Sequence, residues 1–496
     1  MPKNTYPLRI TGGTLLLTDT QTSNTRRWYR MGGDTTFDNI TIKAGNTNTG
    51  YYLCGEGYKL TIGENVVTPL VGSDYIYIMG GTGQYDRAKA VAQTEVVIQS
   101  GTWGVVYGGG YASGVTGDVK VTLSNCSVYR LANAYNGYTQ GNVYFELTNT
   151  TVRSQLLGGN VSNYDVSGNV TMVLGAGVTS PTIYAGSKDG GSVLGTVTVV
   201  ANGIDLTANT IHGKAGNTTG TIGGLKLVLN SGKLSNVMSS FVTRDGVNVV
   251  LGCDQTDSFT LPYNINLDLN GHSVSAVNTN GKTLTVFDSS TDDFDAATYG
   301  SIPTGVAYQT PANYMVITEG DRVSFHKYAL EIQEVTLKTA QAGLTYSCFI
   351  AGDQAVKAQV AEFGIAMNLY TPATPETIAQ DTQSKTHVWR AGNLWQTGEA
   401  GQELTGVAVV NIMKTGCSAQ ENQNRASIPV YGSAYIKLQN GQYLWSNTEV
   451  RTLQQVVEAA DALYETLNET QQQALETLYS TYRSTMDSWN IPNTKG

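Results

Sequence analysis

Two aspartates and a histidine, Asp254, Asp257 and His272, are the residues of this chain best suited by type and spacing to acid–base chemistry. Cleaving a glycosidic bond takes two carboxylates roughly 5–10 Å apart on one face, one protonating the leaving oxygen and the other activating water or attacking. Asp254 and Asp257 are close enough in sequence to meet that spacing, and His272 stands in the turn-forming string "LNGHS". The structural alternative is plain. Aspartates recur in turns because their carboxylates bond to backbone amides two residues on, and an Asn-Gly-His string is itself a turn. Asp292, Asp293 and Asp295, in "STDDFDAAT", bring several oxygen ligands together as a calcium site would. They lack the spacing of an EF-hand and of calcium-binding nonapeptide repeats, so a solvated loop is the simpler account. Lys188-Asp189 and Arg244-Asp245 read as surface pairs. The glycines follow a repeat rather than a strand-to-helix junction, so they build no phosphate loop. No cofactor is implied.

Aromatic residues form the richer surface signal. Trp103, Tyr107, Tyr111, Tyr129, Tyr135, Tyr138, Tyr144, Tyr164 and Tyr184 crowd one stretch of the chain. Flat rings with polar tips stack on sugars at small entropic cost. Tyr111, Tyr135, Tyr138 and Tyr164 fall in loops and are the expected ligand-binding residues. The alternative is that the rings cap corners or stack along ladders.

The elements that position these residues follow from one column of the sequence. An apolar pair followed by small residues recurs as "YRMGGD", "YLCGEG", "YIMGGT", "VVYGGG", "RLANAY", "QLLGGN", "TIYAGS", "TIHGKA" and "NVMSSF". The residue before the small pair is Met31, Cys54, Met79, Tyr107, Ala132, Leu157, Tyr184, His212 and Met238, at intervals of 23, 25, 28, 25, 25, 27, 28 and 26 residues. A second column alternates apolar residues: Val96-Ile98, Val121-Leu123, Val143-Phe145-Leu147, Val170-Met172-Leu174, Val197-Val199 and Leu225-Leu227-Leu229. Period-two alternation marks a strand buried on one face. Several of these strands follow a glycine (Gly117, Gly141, Gly168, Gly195, Gly223 or Gly224), read here as supplying positive φ at a tight corner. A unit of this length cannot bury its apolar face alone, so it stacks. The expectation is a right-handed parallel β-helix of about ten rungs of 23–28 residues, filling residues 1–325. A leucine-rich repeat fails for want of its Leu-x-x-Leu-x-Leu frame, and a propeller needs about 40 residues per blade.

The period is lost near residue 325. Strand-like runs at "YALEIQEVTLKT", "YSCFIA", "EFGIAMNL", "GVAVVNIM" and "SAYIKLQNGQYLW", with a hairpin turn at "QNGQ", predict a small β-sandwich over 326–447. From 448 to 496 the apolar spacing becomes helical, with Asn468 and Gln471 forming a capping box. That predicts an antiparallel helix pair on the sandwich.

Composition narrows the functional classes. Charged residues are only 14%, which suits neutral, hydrogen-bonding β-structure better than a helical cytosolic enzyme. A net charge of −9 without a basic stripe argues against nucleic acid. The five cysteines are scattered and form no disulfide framework, leaving a Cys348–Cys417 bridge within the C-terminal region as the one pairing open to them. No apolar run reaches the ~20 residues of a membrane span. The opening "MPKNTYPLRITGG" has no apolar core, so no export signal stands in this chain.

"LDLNGHS" followed by "LTVFDSS" resembles rungs of the β-helix surface proteins of gut Clostridia. "AEFGIAMNL", "VVNIMKTG", "IPVYGSAYIKL" and "MDSWNIPN" resemble a C-terminal module of the same proteins, over roughly residues 328–493. The resemblance implies an extracellular, cell-surface setting and no particular chemistry. The expectation is an adhesin-like scaffold for host or microbial glycans. A polysaccharide lyase or glycoside hydrolase on the same coil, and an inert stalk, are the alternatives.

Overall fold

A computed structural model of the chain describes residues 6–18, 26–45, 50–69, 76–86, 89–217, 219–338, 341–379, 386–390 and 404–494. Residues 1–5, the start of "MPKNTYPLRITGG", lie outside that set. The chain divides into two compact units. The first comprises Met1–Ser289, Tyr299–Pro311 and Thr318–Ser324; the second comprises Ser290–Thr298, Ala312–Ile317 and Phe325–Gly496.

The first unit is a parallel β-solenoid of about 9 turns. Its interior is built of ladders of equivalent residues about 4.8 Å apart. One runs Leu53, Ile78, Val106, Leu131, Leu156, Ile183, Ile211 through consecutive parallel pairings, and every member is buried. The other runs Val96, Val121, Phe145, Met172, Val199, Leu227, Val249, Leu267, Val286, again wholly buried. Covering each such side chain contributes about 1.5–3 kcal/mol.

Two features of the first predicted column change. Register pairs Arg30, not Met31, with Cys54. From Cys54 to His212 the column holds as read, but Met238 lies in a helix, Leu234–Phe241. Leu234, Val237, Met238 and Phe241 are its buried face, at helical rather than strand spacing. The Gln255 side chain caps this helix by accepting from the Leu234 amide at 2.8 Å.

The corner glycines also have a different reason. Gly117, Gly141, Gly168, Gly195, Gly223 and Gly224 are not among the residues with positive φ. They are glycines because neighbouring rungs touch there: a Cβ on Gly141 would sit 2.3 Å from the Gly117 carbonyl carbon, and one on Gly168 2.3 Å from the Gly141 oxygen. Beside them runs a polar ladder. Asp118 accepts from the Asn142 amide at 2.7 Å, Asn142 from the Asn169 amide at 3.0 Å, and Asn169 from the Thr196 amide at 2.8 Å.

The second unit holds antiparallel sheets and helices around a large core, with a smaller cluster of Ala366, Ile378 and Tyr435 beside Tyr443 and Trp445. Gly343–Gly352 pairs with residues 328–337 on one side and with Leu404–Asn411 on the other. In a second sheet Val360–Leu369 pairs with Thr386–Arg390 and with Val430–Leu438, which forms a hairpin with Tyr443–Arg451 across the expected "QNGQ" turn. The helices Leu453–Ala462 and Glu469–Ser488 both open on capping boxes, Thr452 with Gln455 and Asn468 with Gln471. Their buried residues join the core of the sheets. Among the described residues of this unit, Gln354–Gln359, Pro375–Ala379 and Ala419–Ala426 are also helical, which apolar spacing does not reveal. All five cysteines are free, Cys348 and Cys417 included.

Candidate aromatic binding face

Two residues before the corner column, each rung presents a side chain on the outer face of the solenoid, because alternate strand residues point to opposite sides. In register this outer column reads Trp28, Tyr52, Tyr77. The Tyr52 ring stacks on Trp28 at 4.2 Å and on Tyr77 at 4.6 Å. Further along, Arg130 stands in register with Gln155. Arg130 Nε and Gln155 Oε1 are buried and have no hydrogen-bond partner among the described residues.

A second row of rings comes from the loops after the corner. Tyr111 stacks on Tyr135 at 4.6 Å and meets Trp28 edge-on at 5.6 Å and Tyr107 at 6.1 Å. The Arg26 guanidinium lies 4.6 Å from the centre of the Tyr111 ring. Together with Cys54, Met79, Val105, Ala132, Leu157 and Val161, these rings form an apolar cluster. Burial pushes the Tyr52 and Tyr107 phenols well above the ordinary tyrosine value, so both stay neutral. Tyr85 extends the cluster, meeting Trp28 edge-on at 5.6 Å, with the Arg30 guanidinium 4.5 Å from its own ring centre.

The four tyrosines expected to bind ligand thus divide. Tyr138 and Tyr164 are exposed, at 38% and 44%, and Tyr135 is half-buried. Tyr138 lies over Gly114, where any Cβ would strike its ring. Tyr111 is only 6% exposed, because Trp28, Tyr52, Tyr107 and Tyr135 surround it; it supports the face rather than offering a surface. Trp103 is fully buried, its indole N–H donating to the Ser100 carbonyl at 2.8 Å. Trp28, Tyr52, Tyr77 and Tyr85 were missed. The signal was present in "RWYR", "YYLC" and "YIYIM", where an aromatic residue stands two before the corner position each time.

The acid–base candidates are only partly brought together. His272 Nδ1 lies 3.5 Å from Asp254 Oδ1, but that carboxylate also accepts the Ser273 amide at 2.8 Å, an inter-rung bond of the same kind as Asp118 to the Asn142 amide. Asp257 is paired instead with Lys233 at 2.6 Å. His212, in the corner column, stacks on Tyr184 at 5.0 Å. Of the aspartates read for calcium, Asp292 accepts from the Tyr314 hydroxyl at 2.9 Å and pairs with Lys327 at 3.2 Å. Among the described residues no group of three or more His, Cys, Asp or Glu side chains is placed to hold a metal ion. No described helix is long and apolar enough to cross a membrane.

In the second unit the notable polar pair is His326 and Asp353, 2.6 Å apart and buried, which the sequence did not single out. Asp353 also accepts from the Val356 amide at 2.9 Å, capping Gln354–Gln359.

The chain matches no family profile, no curated protein and no solved structure.

Proposed function

We propose that this protein is an extracellular, cell-surface scaffold that binds glycan chains along the aromatic face of its solenoid, in the manner of the clostridial β-helix surface proteins that its "LDLNGHS" and "LTVFDSS" rungs resemble. The observation carrying the reading is the double row of stacked rings: Trp28, Tyr52 and Tyr77 in one column, Tyr111 and Tyr135 beside it. The half-exposed rings at its border, Trp28, Tyr77 and Tyr135, suit sugar stacking. Each contact is weak, and a rigid repeated face sums them into avidity. The Asp254–His272 contact is the one observation on the side of cleavage.

Purified protein incubated with plant, mucin and microbial polysaccharides tests both readings when retention and newly released reducing or unsaturated ends are measured together. Retention without new ends, weakened by Tyr135→Ala and Tyr164→Ala, is the expected result. New ends that disappear in Asp254→Asn would replace the scaffold with an enzyme. Neither signal would leave the solenoid as a stalk.

A further inference from the structure

The strands that bury Phe145, Met172, Val199, Leu227 and Val249 send the next residue of each rung to the outside of the coil, because strand side chains alternate. In register that outer column reads Glu146, Val173, Val200, Val228, Val250. Four successive valines therefore make a half-buried apolar strip about 14 Å long on the outer face. A sheet with one wet face alternates apolar-in with polar-out, whereas apolar residues on both faces belong to a sheet covered on both. Beside the strip runs a second outward column, Tyr144, Thr171, Thr198, Lys226, Asn248, whose one charge is Lys226.

Two opposite charges bracket the middle of this face. Glu146 stands one rung before Val173 and Lys226 one rung after Val200, so both are equally far from the Val173–Val200 step. Glu146 has one long contact, from the Tyr144 hydroxyl at 3.5 Å, and among the described residues Lys226 has no ion pair. Such charges add little to the stability of the single chain, but across an interface they select a partner and its register by sign.

We infer that this face pairs with the same face of a second copy of the chain, the two coil axes antiparallel about a two-fold axis at the Val173–Val200 step. Val173 then packs against the partner's Val200 at the ~10 Å spacing of stacked sheets. The same rotation lays the rung of Glu146 over the rung of the partner's Lys226. The two side chains start two residues apart along the strand, about 7 Å, which their lengths span. The operation is its own inverse, so the ion pair forms twice. Copies running parallel would bring Glu146 toward the partner's Glu146 instead, so the charges choose the antiparallel register. Opposite charges placed evenly about the centre are what a self-complementary face requires and what a foreign partner does not. Six rungs of five residues cover on the order of 500 Å² per copy, less than the roughly 800 Å² of a standard interface, so the dimer is weak and reversible. It does not depend on glycan binding.

Sedimentation equilibrium of the purified full chain, from low to high micromolar concentration, reads the association directly. The expected result is a reversible monomer–dimer equilibrium that Val200→Lys abolishes, since it buries an ammonium at the centre of the contact. Lys226→Glu turns both attractions into repulsions and should weaken the dimer about tenfold, as should Glu146→Lys. The double variant Glu146→Lys, Lys226→Glu exchanges the charges and should return the wild-type constant, which a general effect of charge would not do. All three positions face outward, and an unchanged melting curve checks that each variant folds. A chain that stays monomeric at every concentration overturns the inference. A dimer indifferent to Val200→Lys or to Lys226→Glu overturns it too, because the copies then meet through another surface. So does a double variant that stays as weak as the single ones, because the two charges then do not face each other.

Discussion

The solenoid and the second unit solve the same burial problem in opposite ways. In the solenoid one apolar position repeats from rung to rung, Leu131 on Leu156 on Ile183, and each residue contacts copies of itself. Polar side chains are sent outward or into ladders between rungs, as with Asp118, Asn142 and Asn169. In the second unit the contacts described join unlike residues. Tyr346 sends its hydroxyl to the Val430 carbonyl at 2.9 Å from across the sequence, and His326 meets Asp353 at 2.6 Å in the interior. The repeated unit spreads its stability and its surface chemistry along many equivalent positions. The second unit joins unlike residues from distant parts of the chain in one large core.

The sharpest way to break this contrast is Asp353→Ala. It removes one hydrogen-bond partner of the buried His326 and the cap of Gln354–Gln359 together, and losing one member of a buried pair costs about 3–5 kcal/mol. Hydrogen exchange should show lost protection in Gly343–Gly352 and Val360–Leu369 together, while the solenoid strands keep theirs. Protection lost only near residue 353 would mean that this core is not cooperative. Leu156→Ala is the solenoid counterpart. It opens a cavity between Leu131 and Ile183 and should cost about 2–5 kcal/mol. Here the loss should be greatest in the neighbouring rungs and fade toward both ends, as nearest-neighbour stacking requires. A loss uniform across the solenoid would contradict that picture.

Gly141→Ala comes next, at about 1–3 kcal/mol, the usual cost of overpacking. The added Cβ would lie 2.3 Å from the Gly117 backbone, so the rungs must part at that corner. A melting temperature equal to the wild type's would show that the corner glycines serve some other need than close stacking. This is also where the sequence was read correctly in position and wrongly in cause. The glycines mark the strand starts, but only stacking reveals that the neighbouring backbone, and not φ, excludes a side chain. The apolar columns were legible because burial imposes the same residue class at each rung; Val96 through Leu229 fell in register as read. The end of the first column failed because "NVMSSF" keeps the column's apolar pair while its wider context, Leu234 to Phe241, has helical period. In the site, Tyr135, Tyr138 and Tyr164 could be found as loop tyrosines. The stacking of Trp28, Tyr52 and Tyr77 could not, since they lie on three successive rungs and become neighbours only once the coil is wound.

The smallest expected effect concerns His212, where the corner column carries a titratable group. Burial first, and then the charge of Lys214, hold its imidazolium below the ordinary value of 6.5. The unfolded chain therefore takes up a proton that the folded solenoid still refuses. As pH falls through 6.5 the unfolded state is favoured, and stability declines until the pH passes the folded value, below which the loss is constant. Above 6.5 both states are neutral and the residue adds no pH dependence. In urea titrations at successive pH values, the wild-type midpoint should fall more steeply over that window than the midpoint of His212→Asn, and the two curves should run parallel at neutral pH. Equal slopes would mean that the imidazole meets the same surroundings folded and unfolded. The Tyr184–His212 step would then be open to water, and the closed part of the corner column would end one rung earlier, at Tyr184.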